Sequence, residues 1–327
     1  MKKTIAILLV VILTVALSVV GVGCKTKSDN VIRLSEVTHS VFYAPLYVAL
    51  NNGYFKEEGL EIELTNAGGA DKVMTSVISG QADIGFCGPE AVIYVYNEGR
   101  TDYPQVIAQL TRLDGSFVMG RDDTPFDWET SFLGKEIIGG RRGGVPAMAL
   151  EYCLRHSGYT IGQDVTVNYD VQYDLITAAF EGGVGDYCTM FEPAATVFQN
   201  AGKGYIKTAV GPKCGEIPYT AFCATKTYLK ANGDKVKAFL RALKKGVDYV
   251  ANNTPETIAK AVAPSFVGVD GNVLVSAIAN YKNIGAIVTD MHLSQESFER
   301  LQDVIVEAGV MTKRAVYSDV VNHGYLS

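Results

Sequence analysis

The sequence predicts an α/β fold of two similar lobes, each a mostly parallel sheet flanked by helices, with a hinge where the chain passes between them. Three observations carry this. Segments that read as strand and helix alternate from Val31 to about Glu98 and again from Glu136 to about Met190, the order of β-α-β units. Gly80-Gln81-Ala82-Asp83, followed after six residues by Glu90-Ala91, can be laid over Gly183-Val184-Gly185-Asp186, followed after six residues by Pro193-Ala194. A chain of 327 residues, 48% apolar and 20% charged, is long enough for about two domains. The echo has a plainer reading as well, because Gly and Asp favour such turns in any β-α-β unit.

Val31 to Val37 reads as a strand, and the loop Thr38 to Ala44 leads to Pro45, well suited to the start of a helix that ends near Gly53. Glu61 to Leu64 alternates as a strand does. Asp71 is expected to cap a helix carrying Val73, Met74, Val77 and Ile78, which Gly80 stops. Ala82 to Phe86 is the next strand, Cys87-Gly88-Pro89 a turn, and Glu90 opens a helix to about Glu98. In the second half Glu136 to Ile138 is a strand, Gly139 to Gly144 a glycine-rich loop, Pro146 to Arg155 a helix and Val165 to Tyr169 a strand. Tyr173 to Phe180 is a helix and Tyr187 to Met190 a strand. The last hundred residues are mostly helical: Val236, Phe239, Leu240, Leu243 and Val247 form a core-facing stripe, Thr254 caps a helix from Pro255, and Ser294 caps one reaching Ala308. The chain is expected to cross between lobes around Leu110 to Met119 and to return around Ala221 to Thr225. Lobe one is then about 31–115 plus 224–327, with lobe two, 116–223, inserted.

The N-terminus has Lys2 and Lys3, an uncharged run from Thr4 to Gly23, and then Cys24. This is a positive n-region followed by an apolar stretch. It resembles a bacterial lipoprotein lipobox, with Gly21 as a departure where Leu is usual. The resemblance implies that residues 1–23 are a signal peptide, that Cys24 is lipidated, and that 24–30 is a polar tether on the extracytoplasmic face of the cell membrane. A retained signal anchor is the alternative. No second apolar run of spanning length follows, so the chain does not read as a permease. Formal charge is −6; without residues 1–23, whose charges are Lys2 and Lys3, 27 basic face 35 acidic side chains, or −8. That argues against a nucleic-acid partner. Cys87, Cys153, Cys188, Cys214 and Cys223 are an odd set without close spacing, better read as buried small residues than as a disulfide framework or a zinc site.

Ala44-Pro45-Leu46-Tyr47-Val48-Ala49, the run Gly53-Tyr54-Phe55-Lys56-Glu57-Glu58-Gly59-Leu60, Gly80-Gln81-Ala82-Asp83-Ile84-Gly85 and Glu192-Pro193 are similar to the nitrate, sulfonate, taurine and thiamine-pyrimidine binding proteins of ABC importers. The resemblance covers nearly all of the chain beyond Cys24. It implies a two-lobed periplasmic-binding-protein fold of type II, a monomer without cofactor, closing on a small molecule and delivering it to a membrane permease with a cytoplasmic ATPase.

Chemistry locates the site independently. Ligands of open parallel sheets bind beyond the carboxyl ends of the strands. Those loops are Thr38 to Tyr43, with His39 and Ser40; Gly68 to Asp71, with Gly69; Cys87 to Glu90, with Gly88; Gly139 to Val145; Asp170 to Asp174; and Phe191 to Pro193. Tyr43 either stacks on a planar ligand or covers the helix behind Pro45. Arg141, Arg142, Gly143 and Gly144 either bring a guanidinium and bare N–H groups to an anion or form an exposed turn; the loop lacks the Gly-Lys-Ser/Thr of a nucleotide site. Glu192 either accepts from an amine or amidine or shapes the turn with Pro193. Tyr187 and Phe191 face either the cleft or the sheet interior. Arg141 and Arg142 point to a sulfonate, nitrate or carboxylate; Tyr43, Tyr187, Phe191 and Glu192 point to an aromatic amine, the slightly favoured choice.

An enzyme is the competing class, with Cys87 at a helix N-terminus as nucleophile and His39 as base. The sequence Gly85-Phe86-Cys87-Gly88-Pro89 fails the nucleophile-elbow pattern at its last position. His39, His156, His292 and His323 are far apart and form no metal motif.

Overall fold

The computed structural model describes residues 30–172 and 175–326. The expected signal peptide, Cys24 with most of its tether, and Tyr173 and Asp174 lie outside the described residues. Strand β1 (Val31–Glu36) leads through a short turn to the helix Ala44–Asn51, with Pro45 in its first turn where a missing N–H costs nothing. Gly53 follows with φ +78°, a left-handed turn that stops the helix. β2 (Glu61–Asn66), the helix Ala70–Ile78, β3 (Ile84–Cys87), the helix Glu90–Asn97 and β4 (Pro104–Thr111) complete the first run. Asp71 is not the cap of its helix: it sits in the first turn, and Gly69 holds the cap position.

The chain then crosses to β5 (Phe117–Gly120) and builds a second sheet from β6 (Lys135–Ile138), β7 (Val165–Asn168), β8 (Tyr187–Met190) and β9 (Tyr205–Ala209). Between these strands run the helices Val145–His156, Ile176–Glu181 and Ala194–Asn200. It returns through residues 210–219 to β10 (Thr220–Thr225). The first sheet has the order β2-β1-β3-β10-β4 and the second β7-β6-β8-β5-β9. β1 and β3 are parallel, as are β6, β7 and β8, while β10 in one sheet and β5 in the other run against both neighbours. The two sheets therefore repeat one topology, each closed by a strand from the chain that passes between them. β10 lies whole in the first sheet, Phe222 opposite Phe86 with rings stacked at 4.3 Å, so Thr220 to Cys223 belong with that sheet and the return precedes them.

The helix Gly233–Asn252 packs on the first sheet, its Phe239 ring 5.4 Å from Phe222 of β10, while the later helices Gly271–Asn283 and Gln295–Glu307 also meet helices of the second lobe. The stripe Val236, Phe239, Leu240, Leu243 and Val247 is fully buried in the helix Gly233–Asn252. This helix reaches the helix Ala44–Asn51 so closely that a Cβ on Gly246 would lie 2.1 Å from the Pro45 carbonyl oxygen. Thr254 and Ser294 cap their helices by accepting from the N–H of Thr257 and Ser297 at 3.4 and 3.1 Å. Among the described residues no helix is long and apolar enough to cross a membrane.

Candidate functional site

The carboxyl ends of the parallel strands in both sheets open onto one cleft of about 790 Å³. The loop after β1 supplies Thr38, Ser40 and Tyr43; the loops after β2 and β3 supply Gly69, Lys72, Gly88 and Glu90. Facing them from the second sheet are Gly140, Arg141 and Gly144 after β6, with Thr189 and Phe191 at the end of β8. Tyr219, at the end of the returning segment, and Thr220, the first residue of β10, also line the space.

Each wall is shaped by local chemistry. Ser40 caps the 3-10 turn Val41–Tyr43 by accepting from Phe42 N at 3.2 Å, which turns Tyr43 toward the cleft. The Tyr43 ring rests edge-on against Phe86 at 4.5 Å and beside Phe42 at 5.6 Å, so one side of it belongs to the core while the residue still lines the cleft. Phe42 in turn lies 6.2 Å from Phe191 and 5.9 Å from Tyr219, which makes one aromatic floor from three segments. In the glycine-rich loop Gly140 has φ +80°, open to glycine at little cost, and Arg141 stands exposed at the rim.

The residue that sequence reasoning missed is Glu90. The sequence marks it as the start of a helix, which it is, but its carboxyl folds back over Gly88, where a Cβ would lie 1.9 Å from Oε2. The side chain lines the cleft yet is only 4% exposed. Burial pushes its pKa up to about 7, against the opposing pull of the N–H groups of Glu90 and Ala91 and of Arg141. Gly88 is the available signal: a residue without a side chain two positions before the helix leaves room for the carboxyl to fold back over it.

Several expected contacts lie elsewhere. His39 places Nδ1 3.0 Å from Glu36 Oε1 and Nε2 2.7 Å from the Ser265 carbonyl oxygen, so both ring nitrogens tie the first lobe together. Glu36 is buried, its pKa raised by burial against hydrogen bonds from Tyr47 and His39. Cys87 is 1% exposed, and its thiol is pushed up by the Cys223 thiol beside it and by burial, the opposite of an activated nucleophile. All five described cysteines are free and buried. Arg142 stacks on the Tyr169 ring at 4.1 Å, and Gly143 faces Val310. Tyr187 is the first residue of β8, a strand length from the carboxyl end, and packs edge-on to Phe132 at 5.0 Å.

Glu192 does not line the cleft either. Its carboxylate accepts from Thr196 N at 3.0 Å, Thr196 Oγ1 at 2.8 Å and Asn280 Nδ2 at 2.6 Å. Its own N–H donates to Tyr281 Oη at 2.9 Å, and Ser40 Oγ donates to its carbonyl at 3.4 Å. The Glu192–Pro193 peptide is cis. Glu192 thus fastens the end of β8 to the C-terminal helix Gly271–Asn283 of the first lobe. Among the described residues no group of three or more His, Cys, Asp or Glu side chains is placed to hold a metal ion.

The chain belongs to the family described as NMT1/THI5 like, whose profile matches residues 41–257. It is 37% identical over 302 residues to the "Putative binding protein YtlA" of Bacillus subtilis (strain 168), covering 92% of this chain and 90% of that one. It is 28% identical over 236 residues to the 4-amino-5-hydroxymethyl-2-methylpyrimidine phosphate synthase of Aspergillus parasiticus, covering 68% and 67%. With the formylaminopyrimidine-binding protein of Halalkalibacterium halodurans it shares 23% identity over 223 residues, covering 65% and 64%. Among solved structures, the ligand-binding component of an ABC-type import system from Staphylococcus aureus superposes with a TM-score of 0.73 at 14% identity, covering 90% or more of both chains, 91% and 98%. The alkanesulfonate-binding protein SsuA of Xanthomonas axonopodis pv. citri, bound to MOPS, superposes with a TM-score of 0.70 at 16% identity, covering 89% and 98%. These two likenesses establish the periplasmic-binding-protein fold.

Proposed function

We propose that the protein is the extracytoplasmic solute-binding lipoprotein of an ABC importer, capturing a small organic molecule between its two lobes and passing it unchanged to a membrane permease. The lobes are the two sheets with their helices, hinged where the chain crosses near Thr111–Phe117 and 210–219. The observation that carries the reading is the cleft itself: about 790 Å³, walled by strand-end loops of both sheets, the size and placement of a small-molecule site. A solute touching both walls favours the closed arrangement through the contacts it gains there. The binding-protein names of YtlA and of the Staphylococcus structure point the same way.

For the solute, the aromatic floor of Tyr43, Phe191 and Tyr219 and the pyrimidine chemistry named for two relatives favour a thiamine-pyrimidine-like molecule over a sulfonate, taurine or nitrate. Arg141 is the feature that favours the anions. The synthase relative supplies a second reading, an enzyme on the same fold. The burial of Cys87 and the engagement of both His39 nitrogens speak against the pair that would serve it.

The test is a thermal-shift and calorimetric screen of the full chain in mild detergent against thiamine precursors, taurine, alkanesulfonates and nitrate. Saturable stabilisation with the compound recovered intact is expected. Repeated turnover of a bound compound refutes the reading.

A further inference from the structure

We infer that Glu90 is a specificity-determining residue of the cleft, its Oε2 receiving an N–H of the captured solute. The inference rests on the solute-binding reading above. Three features of the geometry lead to it. Glu90 lines the cleft while its side chain is more than nine-tenths buried. Its Oε2 has no hydrogen-bond partner among the described residues. Gly88 leaves free the space into which this oxygen points, since any side chain there would collide with it.

A buried acceptor left open is costly to the folded protein, and an N–H brought by a solute removes that cost. The nearest cation does not remove it. Arg141 acts on the carboxyl through its charge, from the opposite wall, and among the described residues no hydrogen bond joins the two. Glu90 and Arg141 thus present an acceptor and a donor on facing walls of one cleft. The solute class that satisfies both carries an amino, amidine or ring N–H together with an acceptor. A bare anion without N–H, such as nitrate or an alkanesulfonate, would meet Glu90 as a like charge or an unfilled acceptor.

The site also has a pH signature. The charged and titratable groups that act on the Glu90 carboxyl are Arg141 across the cleft, Tyr94 one turn along the same helix and Cys87 behind it, while Asp71 and Lys72 line the same cleft. With a pKa raised to about 7, the carboxyl is part-protonated near neutral pH. An N–H donor prefers the carboxylate, so affinity falls as pH drops, by about tenfold from pH 8 to pH 6 for a free pKa near 7.

Calorimetry of the full chain in mild detergent tests this with 4-amino-5-hydroxymethyl-2-methylpyrimidine and taurine, which carry N–H groups, and with ethanesulfonate and nitrate, which do not. Binding is expected for one or both N–H compounds and for neither of the others, with Kd about tenfold weaker at pH 6 than at pH 8. Glu90→Gln should weaken binding about tenfold at pH 8 and leave only the pH dependence of the solute itself. Ethanesulfonate or nitrate binding at least as tightly as the N–H compounds overturns the inference without any variant. So does a Glu90→Gln protein with the parent Kd and pH profile, and in both cases solute capture itself stands. Failure of all four compounds to bind removes the capture reading for these solute classes and this inference with it.

Discussion

Asp83 and Asp186 do the same work in the two sheets: Asp83 Oδ2 accepts the backbone N–H of Arg33 at 2.9 Å, and Asp186 Oδ2 accepts that of Glu136 at 2.9 Å. Each stands just before the central strand of its sheet and pins the strand beside it, β1 in one case and β6 in the other. The repeated Gly-x-x-Asp spacing is therefore a structural staple used twice, and it sets how the strand ends, and the loops beyond them, line up along the cleft.

Replacing these staples should cost unequal amounts. Asp83 also accepts from Arg33 Nε at 3.0 Å in a two-pronged pair, whereas the Lys135 contact of Asp186 is exposed and 3.3 Å long. Charge-assisted bonds are worth about 1.5–3 kcal/mol and exposed ion pairs under about 1. Asp83→Ala is expected to lose more stability than Asp186→Ala in urea unfolding. The pKa of Asp186 is lowered, first by the Glu136 N–H, so its share is present above the ordinary Asp value and is lost as pH falls below it.

Glu192 predicts a separation of stability from binding. Glu192→Ala leaves Asn280 Nδ2 and the Thr196 donors unpaired in a buried place, at a cost of about 2–4 kcal/mol. Denaturant unfolding should show that loss. Calorimetry with a solute that binds the parent should show a Kd changed by less than about threefold at a temperature where the variant is folded, because the carboxylate does not line the cleft.

Unliganded protein should lose stability as pH rises from 5 to 8. Glu90 is raised to about 7 and Asp114 to about 6, in both cases chiefly by burial. The folded state holds these protons more tightly than the unfolded chain, so their contribution is full below the ordinary carboxyl range and disappears as pH rises through the folded values. His323, lowered by burial, acts the other way as pH falls through the His range. The difference in thermal transition between parent and Glu90→Gln isolates the Glu90 part, on the order of 3 kcal/mol across the interval.

Thiol counting checks the N-terminus and the core together. Native protein should react slowly with a disulfide reagent, because Cys87, Cys153, Cys188, Cys214 and Cys223 are buried. In denaturant the five should react, and a sixth only if Cys24 is unmodified. Cys24→Ala should abolish incorporation of labelled palmitate and leave the chain at its full length, with the apolar run of residues 4–23 still attached.

The alternation of elements, most helix ends and the loops that form the cleft are legible in the residues alone. Those features are local: Pro45 starts a helix, Gly53 stops one, Thr254 and Ser294 cap through their own hydroxyls, and parallel strands send their functional loops to one edge whatever packs around them. The tertiary structure alone decided which side chains of those loops enter the cleft. Glu192 and Phe191 are neighbours, yet Asn280, more than eighty residues along the chain, draws one into a buried tie while the other faces the cleft. His39 is held by Ser265 and Arg142 by Tyr169, partners that no local pattern identifies. Glu90 turns into the cleft because Gly88 leaves room and no distant residue fills it. Backbone course follows from near neighbours in the chain, whereas the direction of a polar side chain follows from whichever distant group satisfies its hydrogen bonds.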